Sequence, residues 1–198
     1  MNTIEAISER RSIRKFVNEE IENDILKKII NAGMMAPSPK NIQPWKYIVL
    51  TGKSKNELIQ VITKGIQNFK QSFKVLIDSL NFLSSVEDTL KIIKEAPVII
   101  IVINNENKLK FRHTTVKKFV EIANIQATGA SIQNMLLAAF EYGIGSLWIN
   151  NIFYFHSEIS EWLQTDRQII AAIALGYPAE KPKPLKRKNM DAVAEWKN

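Results

Sequence analysis

Apolar and polar positions divide the chain into segments with different periods. Thr3 to Ser8 reads as a short helix running into a basic stretch. Ile21, Ile25, Leu26, Ile29 and Ile30 recur at helical spacing, with Glu20 and Glu22 near the start and Gly33 at the stop. The segment MMAPSPKNIQPW, with three prolines, reads as an ordered loop. Trp45 to Leu50 has strand character and closes on Thr51-Gly52. Residues 53–95 read as two or three helices whose pattern is broken by Asn, Gln and Lys. Ala96 to Ile103 is a continuous β-branched run, the mark of a central strand buried on both faces. A long helix extends from about Val116 to Tyr142 and stops at Gly143. Ser146 to Ile149 predicts a short strand, Phe155 to Leu163 a helix, and Ile169 to Leu175 a last strand ending at Gly176. From Tyr177 the chain is a tail with three prolines and five basic residues within a dozen positions.

Long helices, few strands and no regular alternation of the two predict an α+β fold, a sheet packed among helices. Without repeats or a low-complexity linker, residues 1–198 read as one domain. Residues 122–140 carry no charge, yet include Asn124, Gln126, Thr128, Ser131, Gln133 and Asn134, a costly load in hydrocarbon. A helix buried in a protein or a dimer explains them better than a membrane span. The first residues contain no apolar run of signal-peptide length. With no cysteine, disulfides, thiolate catalysis and Cys-based metal sites are excluded, and a cytoplasmic location is expected. The net charge of +7 raises nucleic acid as a partner. The dense basic runs, Lys108 to Lys118 and Lys181 to Lys188, lack the aromatic interleaving of a stacking surface, so no nucleic-acid partner is expected.

Familiar catalytic patterns are absent: HExxH, Walker A, GxSxG and EF-hand motifs do not occur. Gly143-Ile-Gly145 follows a helix and precedes a strand, the reverse of a dinucleotide fingerprint. His113 and His156 stand apart in polar contexts and read as surface residues. No metal site is expected. Three segments remain, each with two readings. Arg10-Arg11-Ser12-Ile13-Arg14 can grip a phosphate through planar guanidiniums, or be a solvated run at a helix end. Ala36 to Trp45 can present Ser38, Asn41 and Gln43 from a pre-ordered loop, or be a rigid turn anchored by Trp45. Gly129 to Asn134 can serve a ligand, but small residues and buried amides suit core or dimer packing better.

Taken together the segments resemble the nitroreductase family of FMN enzymes. RRSIR-x-F, APS-x-x-N-x-QPW, GASIQNMLLAA with YGIGSLWI, and a basic segment before the C-terminus occur in that family's order. Residues 53–95 contribute little. The resemblance implies a nitroreductase-like fold, with a mostly antiparallel central sheet flanked by helices, a long buried helix and an extended C-terminal tail. It also implies FMN held non-covalently at the interface of a homodimer. Arg10, Arg11, Ser12 and Arg14 match positions that bind the flavin's phosphate, ribityl and pyrimidine portions, and Arg187 matches an arginine that also reaches the phosphate. Pro37, Ser38 and Asn41 match a loop that reaches the flavin from the other subunit. Ile149, Asn150 and Asn151 fall where the family sets backbone groups beside the flavin ring. A glycine often stands where this chain has Asn151, its N–H facing flavin N5. Asparagine tolerates positive φ, so that contact can persist while its side chain crowds or re-aims the ring face. The acidic residue the family often has near Ala127 is missing.

The activity so implied is hydride transfer from NAD(P)H to FMN, then reduction of nitroaromatic, quinone or related acceptors by a ping-pong route. No side chain need act as an acid or base. Two alternatives stay open: a flavin-binding or redox-sensing protein with little turnover, and a specialised relative of the dehalogenase or flavin-destruction type.

Overall fold

The β-branched run forms the strand around which the other elements are placed. The structure is a computed structural model describing residues 2–72, 82–106 and 114–197. β2 (Val98–Asn104) lies between β1 (Trp45–Leu50) and β4 (Gln168–Gly176), and β3 (Gly145–Ile149) completes the order β1-β2-β4-β3. Every pairing is antiparallel.

All residues of β2 are buried, because helices cover both faces. Side chains alternate across a strand, so the run serves two cores at once. Ile99, Ile101 and Ile103 pack with residues of α3 (Gly52–Ser72), α4 (Phe82–Glu95) and α6 (His156–Trp162), among them Leu58, Ile62, Ile93 and Ile159. Val98, Ile100 and Val102 face α2 (Asn23–Met34) and α5 (Thr114–Glu141), meeting Leu26, Ile29, Ile132 and Met135. A bulge interrupts the β2–β4 ladder: Val102 opposes Ala171 and Ile103 opposes Ile169, leaving Ile170 as the extra residue. Ile170 and Ala171 therefore join the same core, which is why β4 shows no alternation in sequence.

The boundaries follow local chemistry. α5 ends as expected at Gly143, whose φ of 71° suits glycine; its N–H bonds to the Phe140 carbonyl and that of Ile144 to the Ala139 carbonyl. Gly33 behaves differently from the expected stop. α2 runs through it to Met34, and the missing side chain admits α5: a Cβ there would lie 2.6 Å from Met135 Cγ. The proline-rich loop contains a single 3-10 turn, Pro39–Asn41, with proline where an unpaired N–H would otherwise fall. The helix expected from Phe155 starts earlier, as a 3-10 turn over Asn151–Phe155 that leads into α6.

Within residues 53–95 the described parts are α3 and α4; residues 73–81 lie outside the described residues, as do residues 107–113, which include His113 and the start of the first basic run. α1 (Thr3–Glu9) lies against α5. A stripe of α5 from Asn124 to Ala139 is buried, whereas Phe119 is 66% exposed and Val116, Ile122 and Ile125 are also open. Among the described residues no helix is long and apolar enough to cross a membrane.

Candidate functional site

The basic segment after α1 is laid along the β3 edge. Ser12 bridges Ser146 in parallel, with the Ile13 N–H on the Ser146 carbonyl at 3.0 Å. Further on, Phe16 pairs antiparallel with Pro178, and Val17 N–H bonds to the Tyr177 carbonyl. Buried Ile13 and Phe16 anchor the segment, leaving Arg14 between them exposed. The backbone N–H groups of Arg14 and Lys15 both donate to Glu180 Oε1, at 2.6 and 3.2 Å. Glu180 thus ties the root of the tail to the basic segment.

That junction gathers positive charge. Burial first, then the fields of Arg187 and Arg11, hold the Arg10 guanidinium below its ordinary pKa. All of these influences disfavour the cation, and an anion bound among the guanidiniums would relieve them. Arg11 is partly engaged already, donating to the carbonyls of Ser8 and Arg10. Arg187 is exposed in the extended tail.

Along β3 lies a cleft of about 550 Å³, within the range of small-molecule and cofactor sites. Arg14 and Leu147 to Asn151 form one side, and Ser84, Ser85, Asp88, Thr89, Lys91 and Ile92 of α4 form the other. Asn151 opens a 3-10 turn, where the first N–H groups have no intrahelical acceptor. Its backbone is ordinary: the non-glycine residues with positive φ are Lys40, Asn41, Gln43 and Gln164 among the described residues. Its carboxamide turns toward α4, donating to Ser85 Oγ at 2.8 Å, Thr89 Oγ1 at 3.0 Å and the Ser85 carbonyl at 3.3 Å. The expected reliance on positive φ is thus corrected, and the side chain that was expected to crowd the site is fastened to its wall.

Pro37, Ser38 and Asn41 lie elsewhere in the same chain. Their loop enters β1, the opposite edge of the sheet, three strand spacings or about 14 Å from β3. Lys40, Asn41 and Gln43 all have φ above 50°, a strained run for residues with a Cβ. Ser38 Oγ accepts the Gln43 N–H at 2.9 Å and keeps its own proton to donate. Ala127, near which the family often has an acidic residue, is buried nearby with Ala36 and Trp45. Gly129 to Asn134 serve packing, as expected: Ser131 bonds Tyr47 and Asn134 bonds the Ala32 carbonyl, while burial pushes the Tyr47 phenol up.

The structure therefore joins Arg14 with Ile149, Asn150 and Asn151, and Arg10 with Arg11 and Arg187, and holds Pro37, Ser38 and Asn41 apart from both. Sequence reasoning missed the place of α4 in the cleft wall, and Glu180. The hydroxyls of α4 look like an ordinary solvated face, whereas one carboxylate in a basic, proline-rich tail was a signal available to find Glu180.

Comparison with known proteins agrees with this fold. The chain is 26% identical over 199 residues to an NADH dehydrogenase of Thermus thermophilus, covering 97% of this chain and 94% of that protein. The crystal structure of a BluB-like flavoprotein from Clostridium difficile superposes with a TM-score of 0.86 at 30% identity, over the whole of both chains. A Desulfovibrio desulfuricans protein solved in complex with FMN superposes with a TM-score of 0.74 at 25% identity, over 100% of this chain and 99% of that one. The model of the nitroreductase family matches residues 7–177, and with the antiparallel α+β fold and a basic cleft at the β3 edge, the chain belongs to that family.

Proposed function

We propose that the chain is a single-domain, cytoplasmic, FMN-dependent oxidoreductase that acts as a homodimer. It takes its electrons from NAD(P)H and reduces nitroaromatic, quinone or related acceptors. The observation that carries this reading is the convergence of Arg10, Arg11 and Arg187 at the head of a segment that leads, through Ser12 and Arg14, into the β3 cleft. The donor set fits FMN: guanidiniums for a dianionic phosphate, and a cleft floored by β3 for a planar ring. The relative solved with FMN supports it.

When bound, FMN supplies the redox chemistry, accepting a hydride from reduced nicotinamide and passing electrons to an acceptor in alternating half-reactions. The chain's residues position and polarise. Arg10, Arg11 and Arg187 neutralise the phosphate, Ser12 and Arg14 face the ribityl and pyrimidine portions, and Ile149 to Asn151 offer backbone groups at the reactive edge. Arg14 sets a positive field over the cleft, which favours electron uptake there. Pro37, Ser38 and Asn41 complete the site from the second subunit.

Exposed apolar residues support the dimer. Ile4, Ile7 and Phe119 are exposed on helices, and Leu185 and Trp196 on the tail, with Trp196 at 81%. The likeness to a BluB-like flavoprotein favours one second reading, a flavin-binding or redox-sensing protein with little turnover. The test is an absorption spectrum after loading with FMN and desalting, followed by anaerobic addition of NADH or NADPH. Retained flavin that bleaches, and reoxidises with a nitroaromatic or quinone, supports the enzyme; retained flavin that does not bleach favours the low-turnover reading. A folded dimer that retains no flavin overturns both.

A further inference from the structure

Asn151 makes side-chain bonds that a glycine at this position could not make. α4 is fastened at both ends. At its C-terminus Lys55 Nζ donates to the carbonyls of Lys94 and Ala96 at 3.0 and 2.8 Å, satisfying groups the helix leaves open. In its first turns Asn151, just past the end of β3, donates to Ser85 and Thr89. The bonding senses are fixed: the Thr89 hydroxyl donates to the Ser85 carbonyl at 2.9 Å, so its lone pairs must accept from the carboxamide. Thr89 is buried, so its position is set by packing as well.

We propose that Asn151 is a specificity-determining residue, latching α4 as a fixed wall of the cleft so that small acceptors are admitted and bulky ones are not. The inference rests on reading the cleft as a flavin site. Ser85, Asp88, Thr89 and Ile92 line the cleft opposite Ile149, so the latch sets the distance between α4 and the edge where an acceptor must approach. A wall held by hydrogen bonds rejects extra volume; a wall free to shift does not.

Asn151→Asp tests the latch because it keeps the side chain's size and removes both donors. Ser85→Ala/Thr89→Val removes the hydroxyl acceptors without touching residue 151. Amide hydrogen exchange across α4 is followed in the FMN-free and FMN-loaded protein, and kcat and KM are measured for p-benzoquinone and for a bulkier two-ring naphthoquinone. Each variant removes at least two of the three bonds and is expected to speed α4 exchange by at least about fivefold, the effect of a single lost hydrogen bond. The selectivity ratio should move roughly tenfold toward the bulky quinone, mainly through its KM. The combined variant should add little to either alone, as expected of residues in one contact. Unchanged α4 exchange with flavin bound overturns the latch and leaves the proposed function standing. Faster exchange with an unchanged selectivity ratio also overturns it, since Asn151 would then be structural only. A wild type that retains no flavin overturns the proposed function and, with it, the role toward acceptors.

Discussion

The two edges of the sheet are finished in different ways. Along β3, residues 12–17 lie beside the strand and its continuation, Ile13 and Phe16 are buried, and Glu180 binds the segment to the tail. Along β1, Lys46 and Val49 are exposed, and the preceding loop holds Lys40, Asn41 and Gln43 in left-handed conformations. The first edge is anchored by its own chain and opens onto a cleft. The second offers pre-ordered polar groups on a loop. Backbone strain persists only where its surroundings over-determine it. Under the proposed function the two edges are unlike halves of one site, and they meet only if the β1-edge loop of one subunit reaches the β3-edge cleft of another.

The largest effect should come from the charged half. Arg10→Ala/Arg187→Ala removes two guanidiniums from the anion site, and FMN affinity should fall by on the order of 100-fold or more, since charge-assisted bonds are the strong ones. Flavin fluorescence titration measures this directly. A drop of less than about tenfold would move the phosphate away from this junction.

Next is complementation between the edges. A Ser38→Ala/Asn41→Ala chain should bind FMN roughly tenfold more weakly as a homodimer. Mixed with the Arg10→Ala/Arg187→Ala chain under conditions that exchange subunits, it should regain tight flavin binding, because one site in each mixed dimer then has both halves intact. Tight sites absent from the mixture would place both halves of each site in one chain and end the comparison drawn above.

A smaller effect belongs to the packing that delivers the β1-edge loop. Gly33→Ala puts a methyl against Met135 and 3.1 Å from the Tyr47 hydroxyl, so α2 and α5 must part slightly. Methionine adapts easily, so the cost should be about 1–2 kcal/mol of stability by denaturant unfolding, with little change in flavin affinity. A large loss of flavin without a loss of stability would mean that this packing aims the loop.

Much of this architecture was legible in the sequence because burial leaves a period. The run at 96–103 announced a strand covered on both faces, which the structure begins at Val98, and the 21–30 pattern announced α2, each through residues that are now core. Gly33 misled because a glycine needed for close approach looks the same in sequence as one that ends a helix. Asn151 misled because a sequence carries no direction: nothing in it says that a carboxamide points at Ser85 and Thr89 instead of into the cleft. The wall made by α4 stayed hidden because Ser84, Ser85 and Asp88 follow the pattern of solvent. Arg187 became legible only through order along the chain, being more than 170 residues from Arg10.

The finest test separates geometry from charge at Glu180. Its carboxylate accepts the N–H groups of Arg14 and Lys15, so it fixes the backbone that carries Arg14 toward the cleft. It is also a negative charge near a site argued to hold a phosphate, and in that role it opposes binding. The two roles carry opposite signs. Glu180→Gln keeps an acceptor of the same shape and removes the charge, so the geometric loss and the electrostatic gain should nearly cancel, leaving FMN affinity within about twofold. Glu180→Ala removes the acceptor as well; two exposed-edge N–H groups lose their partner, and affinity should fall roughly three- to tenfold. Titration at low and high salt resolves the terms, since screening weakens the field and leaves the backbone bond intact. If Glu180→Ala tightened flavin binding at low salt, the carboxylate would act on the β3 edge through its field alone, and that edge would be held by the buried Ile13 and Phe16 without it.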